Sequence, residues 1–418
     1  MRGRWLNWGA AAIGLLVLSV GASAETVTLR VAMADAKTPA KDLEALFAPF
    51  AAAHPEIKLQ IENSYTDKLD TLAVQVAGGA AADVIQGYND MPIIAARQGL
   101  YLDLAPFVKR DNEQALIDDF VPAALAVVAG QGHIYGFPQY SAVRDVYYNR
   151  DMFANAGVAT PDPKWNWNDF AAVAKKLTIT DGDKVTQIGY GLYNSWLGTF
   201  PWLAAAGADF SRPDALPLDS EPVRRTLTFL QDMEKGGYLG WGAGPFLSVS
   251  RGTGAMSSSG SWSLVSWAKP NLSLGIASSP IGEARAAGST NTDIIAINAQ
   301  TKHPEAAWTF LRWFYSKPVQ QAYLARFALQ PARVSLGAQW IEAVQKVLQA
   351  KGVPPVTGLR AFLDDSVYAQ PQPFFANAKV INQYVMPAFN AILGKGAAVG
   401  PTLESAAAAG TAFLQQKG

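Results

Sequence analysis

ADVIQGYNDMPIIAARQGLYLDLAPF, residues 82–107, carries the pattern from which the architecture is read. Residues 83–86 are a short apolar run of strand length. Residues 91–98 place apolar side chains at helical spacing and stop at Gly99. Asp90 before Met91 and Pro92 suits a helix start, with Asp as N-cap and Pro in the first turn. The same order of strand and helix stands upstream. Residues 27–33 (VTLRVAM) read as a strand. Residues 39–54 read as an amphipathic helix, with Leu43, Leu46, Phe47 and Phe50 on one face and Pro55 as its stop. Residues 58–61 are a second strand, and 66–77 a helix with Leu69, Leu72 and Val76 aligned. This alternation predicts an α/β fold with a parallel, doubly wound sheet covered on both faces. In such sheets ligands lie beyond the carboxyl ends of the strands. Binding chemistry is therefore sought in the loops at 35–38, 63–65 and 87–90.

Downstream the pattern changes near Gly136. Residues 134–137 and 143–149 read as strands flanking Pro138. Helices are predicted over 168–177, 200–206 and 221–235, with short strands near Ile188 and Ala255. A strand over 293–297 precedes a strong helix over 304–315, where Pro304 and Glu305 mark the N-terminus. The stretch 376–416 reads as mostly helical, including the Ala-rich 406–409. There is no internal repeat, coiled coil or low-complexity tract.

The ends and the composition narrow the function class. Arg2 and Arg4 precede the apolar run AAIGLLVLSV at 11–20, and Ala22-Ser23-Ala24 follows. That order predicts a secretory signal peptide over 1–24, because the run is too short to span a bilayer, which needs roughly 20 residues. The 418-residue chain has no Cys. An exported chain without Cys must be held by its core alone, and it lacks a Cys for lipid anchoring. The expected location is periplasmic, and the length suits two domains. With 34 basic and 34 acidic residues the charge balances, so nothing points to nucleic acid or an anionic membrane.

Four blocks give the chain a family resemblance. They are the opening stretch at 82–107, GHIYGFPQYSAVRDVYYNRDMFANAGV at 132–158, RGTGAMSSSGSWSL at 251–264, and TKHPEAAWTFLRWFYS at 301–316 followed by QPAR ending at Arg333. In this order they resemble family 1 extracellular solute-binding proteins of the maltodextrin-binding type, which serve ABC importers. The resemblance implies a two-lobed, type II periplasmic-binding-protein fold with a ligand cleft between lobes joined by several crossovers. The expected division is 25–137 plus 290–331 for the N-terminal lobe and 138–289 plus 332–418 for the C-terminal lobe. Crossovers are expected near 137–140, 284–291 and 329–334, where Pro138, Gly288 and Pro331 suit hinges. The implied function is capture of a sugar or sugar derivative by a monomer and its delivery to the transmembrane subunits of an importer.

A sugar presents hydroxyls at its rim and an apolar face, so polar side chains and flat aromatics are the expected contacts. By the resemblance, Trp262, after Gly260-Ser261, stands where the family presents a stacking aromatic and is the first candidate; a core Trp is the alternative. Tyr88, Asn89 and Asp90 follow the strand at 83–86, in the loop that by the resemblance donates carboxylate or amide contacts, with helix capping the competing role for Asp90. By the resemblance, Asp35 and Lys37 lie at contact positions of the first loop and Tyr140 at the first crossover. Trp196 and Thr199 precede a ligand-facing helix of the second lobe. Gly288 and Asn291 lie at the second crossover and Arg333 at the third, with Asn291 and Asn382 weaker carry-overs. Arg333 could grip an anion bidentately or form a structural ion pair. Lys37, Arg144 and Arg333 keep an anionic sugar open beside a neutral one. Trp165, Trp167, Trp308 and Trp313 are assigned to packing.

Enzyme chemistry has little footing. There is no G-x-S-x-G, H-E-x-x-H or phosphate-binding loop sequence. The S-x-x-K string at 266–269 lacks its partner motifs. His54 and His303 precede prolines at helix boundaries, and with His133 they cannot cluster as a metal site. No metal or cofactor is expected. Asp118-Asp119 and Asp364-Asp365 read as surface pairs. The competing function, a periplasmic lyase or glycoside hydrolase, would need two carboxylates placed across the cleft.

Overall fold

Residues 27–32 alternate as a strand must when one face is packed first: Leu29 and Val31 are fully buried and Thr28 is exposed. The half-buried Arg30 between them forks onto Glu62 of the neighbouring strand at 2.5 and 2.9 Å. These features come from a computed structural model, which describes residues 26–34, 38–62, 69–87, 91–242, 249–284, 289–373, 375–377 and 379–416. Val27–Ala32, Ile57–Glu62 and Val84–Gly87 are parallel neighbours, as the alternation with helices predicts. Ile294–Ile297 then enters antiparallel beside Val84–Gly87, and Phe137–Pro138 pairs on its far side. One face of this sheet is covered by Leu43, Phe47, Phe50, Trp308, Phe310 and Phe314, the other by Leu72, Val76 and Ala95. Each fully buried Phe contributes roughly 1.5–3 kcal/mol by leaving water.

A second sheet orders Leu239–Trp241, Lys184–Leu192, Gly254–Gly260, Ala142–Asn149, Ser289–Asn291 and Gln370–Pro371. The first three are parallel, while Ala142–Asn149 runs antiparallel to Gly254–Gly260. Leu274–Ala277 also pairs with Ala142–Asn149. Tyr148, Phe170, Tyr190, Trp202 and Leu227 pack one face, and Tyr147, Trp340 and Phe362 the other. Two sheets, each with two packed faces, make two lobes of the type II arrangement.

Among the described residues, three segments connect the two lobes. Gln139–Ser141 leaves Phe137–Pro138 for Ala142–Asn149, and Thr292–Asp293 returns from Ser289–Asn291 to Ile294–Ile297. The stretch 328–336 passes from the helix Lys317–Phe327 to Gly337–Ala350. Several of their buried polar groups are paired across them or to the first sheet. Gln139 N donates to the Asp293 carbonyl at 2.7 Å, Gln86 Nε2 donates to Asp293 Oδ2 at 3.2 Å, and Ser141 N donates to the Gln330 carbonyl at 2.9 Å. Each group so paired avoids the roughly 1–3 kcal/mol cost of a buried group left unmet.

Some expectations shift. The single strand predicted over 134–137 is two: His133–Ile134 pairs with Ala129–Gly130, and Phe137–Pro138 joins the first sheet. Gly136 lies between, where a Cβ would sit 2.9 Å from the Ile295 carbonyl oxygen. The helix predicted from 200 begins at Trp196, because Ser195 Oγ accepts from Gly198 N at 3.0 Å and caps it. Asp293 is not in a strand; it belongs to the crossing.

Candidate ligand cleft

The carboxyl ends of the parallel strands locate the site. In the first sheet they lead into 35–37, 63–68 and 88–90, so the candidates Asp35, Lys37, Tyr88, Asn89 and Asp90 lie outside the described residues. Gly288 does too, and Asn291 is described only as strand backbone. In the second sheet, Lys184–Leu192 leads to Trp196 and Gly254–Gly260 leads to Trp262.

Trp262 sits on a single 3-10 turn, Ser261–Ser263, and is partly exposed. The turn is bonded on all sides. Tyr147 Oη donates to the Gly260 carbonyl at 2.7 Å, Ser259 Oγ and Ser263 Oγ share a 2.7 Å hydrogen bond, and Gln330 N donates to Ser261 Oγ at 3.3 Å. The last bond ties the turn to the third crossing. A partly exposed indole on a rigid support can offer a flat apolar face to a sugar ring. Tyr140, half-buried, stands at the first crossing, and its carbonyl accepts from Thr292 Oγ1 of the second.

Trp196 is 6% exposed and packs its ring on Phe200, Phe210 and Phe375, with centroids 5.2, 5.5 and 6.1 Å away. Its Nε1 has no hydrogen-bond partner among the described residues. It lines a cavity of about 300 Å³ together with Asn194, Ser195, Gln372 and Asn382. A neighbouring cavity of about 560 Å³ is lined by Arg97 from the first lobe and by Phe200, Phe210 and Gln372 from the second. It opens between the lobes. Arg97, Phe210 and Gln372 carry no sequence signal, because only the meeting of the lobes brings them together.

Two candidates have other work. Thr199 is fully buried, and its Oγ1 donates back to the Ser195 carbonyl at 3.1 Å. It presents no surface to a solute. Arg333 is 8% exposed; its Nε donates to Asp119 Oδ2 at 2.7 Å and its Nη1 to the Tyr315 carbonyl at 2.6 Å. Burial pushes the Asp119 carboxyl up, but hydrogen bonds from Ser335 and Arg333 outweigh it and hold the group below its ordinary value. Arg333 is thus an ion-pair residue of the third crossing, bonded to Asp119 and Tyr315 of the first lobe. A depression of about 970 Å³ lies beside it, lined by first-lobe residues and Arg333 itself, with Arg312 paired to Glu113 and Arg333 to Asp119. It is not between the lobes, and both of its arginines are already paired.

Asp365, expected at the surface, is buried at 6% exposure because Phe362 on the same short helix packs into the core. It faces Asp145, which is fully buried, and both carboxyls are pushed above their ordinary range, first by burial; Asp145 is pushed further by the charge of Asp365. A proton held between them relieves the repulsion. Both lie inside the second lobe, so they do not form a pair across the cleft. Trp165 and Trp308 are core, and Trp167 and Trp313 pack against it, as expected. Among the described residues no cluster of side chains could hold a metal ion.

Known proteins share this architecture. A binding protein of Brucella abortus is 26% identical over 343 residues, 75% of this chain and 78% of that one. The cyclic alpha-maltosyl-1,6-maltose binding protein of Arthrobacter globiformis superposes with a TM-score of 0.77 at 20% identity, covering 93% of this chain and 99% of that one. An ABC substrate-binding protein of Listeria monocytogenes in complex with cycloalternan gives 0.76 at 19% identity, covering 94% and 99%. Both likenesses are of fold. The sequence profile of the bacterial extracellular solute-binding protein family matches residues 34–321, which include the crossings at 139–141 and 292–293 and the turn of Trp262. With its two lobes, its crossings and its gap between them, the chain belongs to the bacterial extracellular solute-binding proteins, a family of receptors and not of enzymes.

Proposed function

We propose that the chain is the periplasmic substrate-binding component of an ABC importer, and that it captures a sugar or sugar derivative between its lobes. The observation that carries this reading is Trp262, partly exposed at the carboxyl end of a parallel strand and tied through Ser261 to the third crossing. The likeness in fold to the cyclic alpha-maltosyl-1,6-maltose binding protein of Arthrobacter globiformis and to the Listeria protein in complex with cycloalternan supports the sugar class. Residues 1–24 serve as a signal peptide, and the mature chain acts as an unanchored monomer. The lobes divide as 25–137 plus 290–331 and 138–289 plus 332–418. Asp35, Lys37, Tyr88, Asn89 and Asp90 contribute polar contacts from the first lobe, Trp196 and Trp262 aromatic ones from the second, and Tyr140, Gly288 and Asn291 contacts at the crossings. A solute that touches both lobes binds the closed form more tightly, and that difference drives closure. The importer's transmembrane subunits then read the closed shape.

A thermal-shift screen over sugars and sugar acids tests this. A bound sugar well above its dissociation constant raises the melting temperature by mass action. Trp262→Ala should weaken the strongest hit at least about tenfold, roughly 1.4 kcal/mol. A library without a single stabilising sugar would overturn the sugar reading, and an unchanged affinity would remove Trp262 from the site.

A further inference from the structure

Residues 144 and 260 oppose each other across the antiparallel strand pair that leads to Trp262. Cross-strand partners project to the same face of a sheet. At 144 stands an Arg, 6% exposed, whose guanidinium carbon lies 4.9 Å from the centre of the Trp262 ring. At 260 stands a Gly, and the space of its missing side chain is filled by the same indole. An ideal Cβ there would fall 1.9 Å from Cζ3, 2.3 Å from Cε3 and 2.4 Å from Cη2 of Trp262. Gly260 has φ −88°, which any residue adopts, so its smallness serves the indole and not the backbone. The turn beneath is already fixed by its hydrogen bonds to Tyr147 and Gln330. What remains to be oriented is the indole about its own side-chain bonds.

We propose that Arg144 and the empty position of Gly260 form a clamp that fixes the plane of the Trp262 indole for stacking on the solute. Arg144 is then a positioning residue, acting through Trp262. This rests on Trp262 being a solute contact. A guanidinium suits the role better than an ammonium, because it is planar and stacks on aromatic faces, and the attraction grows when the cation is desolvated. An indole held before binding loses less rotamer freedom when the solute arrives.

Fluorine NMR of protein labelled with fluorotryptophan tests the clamp, with Trp262→Phe identifying the resonance of residue 262. In Arg144→Met and in Gly260→Ala that resonance should shift and broaden while the other Trp resonances hold their positions. Arg144→Lys, which keeps the buried charge, should show a smaller change and serves as the readout if the Met variant does not fold. A residue-262 resonance unmoved in the folded variants overturns the clamp. Titration with maltotriose reads its consequence. Arg144→Met should weaken binding about fivefold in the parent and less than about twofold in Trp262→Ala. Equal losses in both backgrounds overturn action through Trp262. A resonance that responds to Arg144→Met but to neither maltotriose nor any other sugar of the library sinks the stacking reading and leaves the clamp standing.

Discussion

Replacing Arg333 by Met should lower stability substantially and leave solute affinity unchanged. The side chains of Arg333 and Asp119 are 9% and 16% exposed. Met removes the 2.7 Å bond to Asp119 and the 2.6 Å bond to the Tyr315 carbonyl. Hydrogen bonds to charged groups contribute about 1.5–3 kcal/mol each, and breaking one partner of a buried pair costs about 3–5 kcal/mol. Asp119 keeps its bonds from Ser335 N and Oγ, at 2.9 and 2.6 Å, so the lower end applies, about 3 kcal/mol. For a cooperative unit of lobe size this corresponds to a fall in melting temperature of roughly 6–12 °C. Arg333→Lys should recover only part of the loss, because an ammonium cannot reach both acceptors with a rigid fork. The pH dependence has a definite sign. Asp119 is held below its ordinary value in the fold, so its contribution is present above the unfolded carboxylate pKa, about 4, and is lost as pH falls through the lower folded value. The parent should lose its advantage over Arg333→Met in that acid range. Calorimetric unfolding between pH 3 and 7, with isothermal titration of the best sugar, measures both effects. A variant as stable as the parent that no longer binds would refute the ion-pair assignment and return Arg333 to the solute.

The Asp145–Asp365 pair predicts the opposite slope. Both carboxyls are raised in the fold, so their contribution is present below the unfolded pKa and lost as pH rises through the folded value. Asp145→Asn stays neutral and can still donate to Asp365, so it should gain stability over the parent as pH rises; parallel melting curves from pH 5 to 9 would contradict the pairing. Gly358→Ala should destabilise the second lobe, because φ is +76° and the added Cβ would lie 1.9 Å from the Ile276 carbonyl oxygen. Urea unfolding should show a lower midpoint, and an unchanged one would mean that the chain at 358 can relax.

Periodicity and chain order reach far here. Strands and helices of the first sheet are local patterns, in which side-chain spacing alone selects the element. The four blocks, taken in order, marked the family, and Trp262 stood out because it follows a run of small residues at the position where the resembling family presents a stacking aromatic. Pro138 and Pro331 were readable as standing at or beside the crossings, although Pro138 still closes the strand Phe137–Pro138.

Contacts between distant segments were not readable. The sequence alone determined the α/β class, the two-lobed family and the residue types that could meet a sugar, because these follow from local spacing and motif order. Tertiary structure alone set Ile294–Ile297 between Val84–Gly87 and Phe137–Pro138, paired Arg333 with Asp119, buried Asp365 beside Asp145 and laid Arg144 over Trp262. Each of these depends on strand register or helix packing across long loops. The charge, exposure and freedom of a side chain are properties of what the folded chain places next to it.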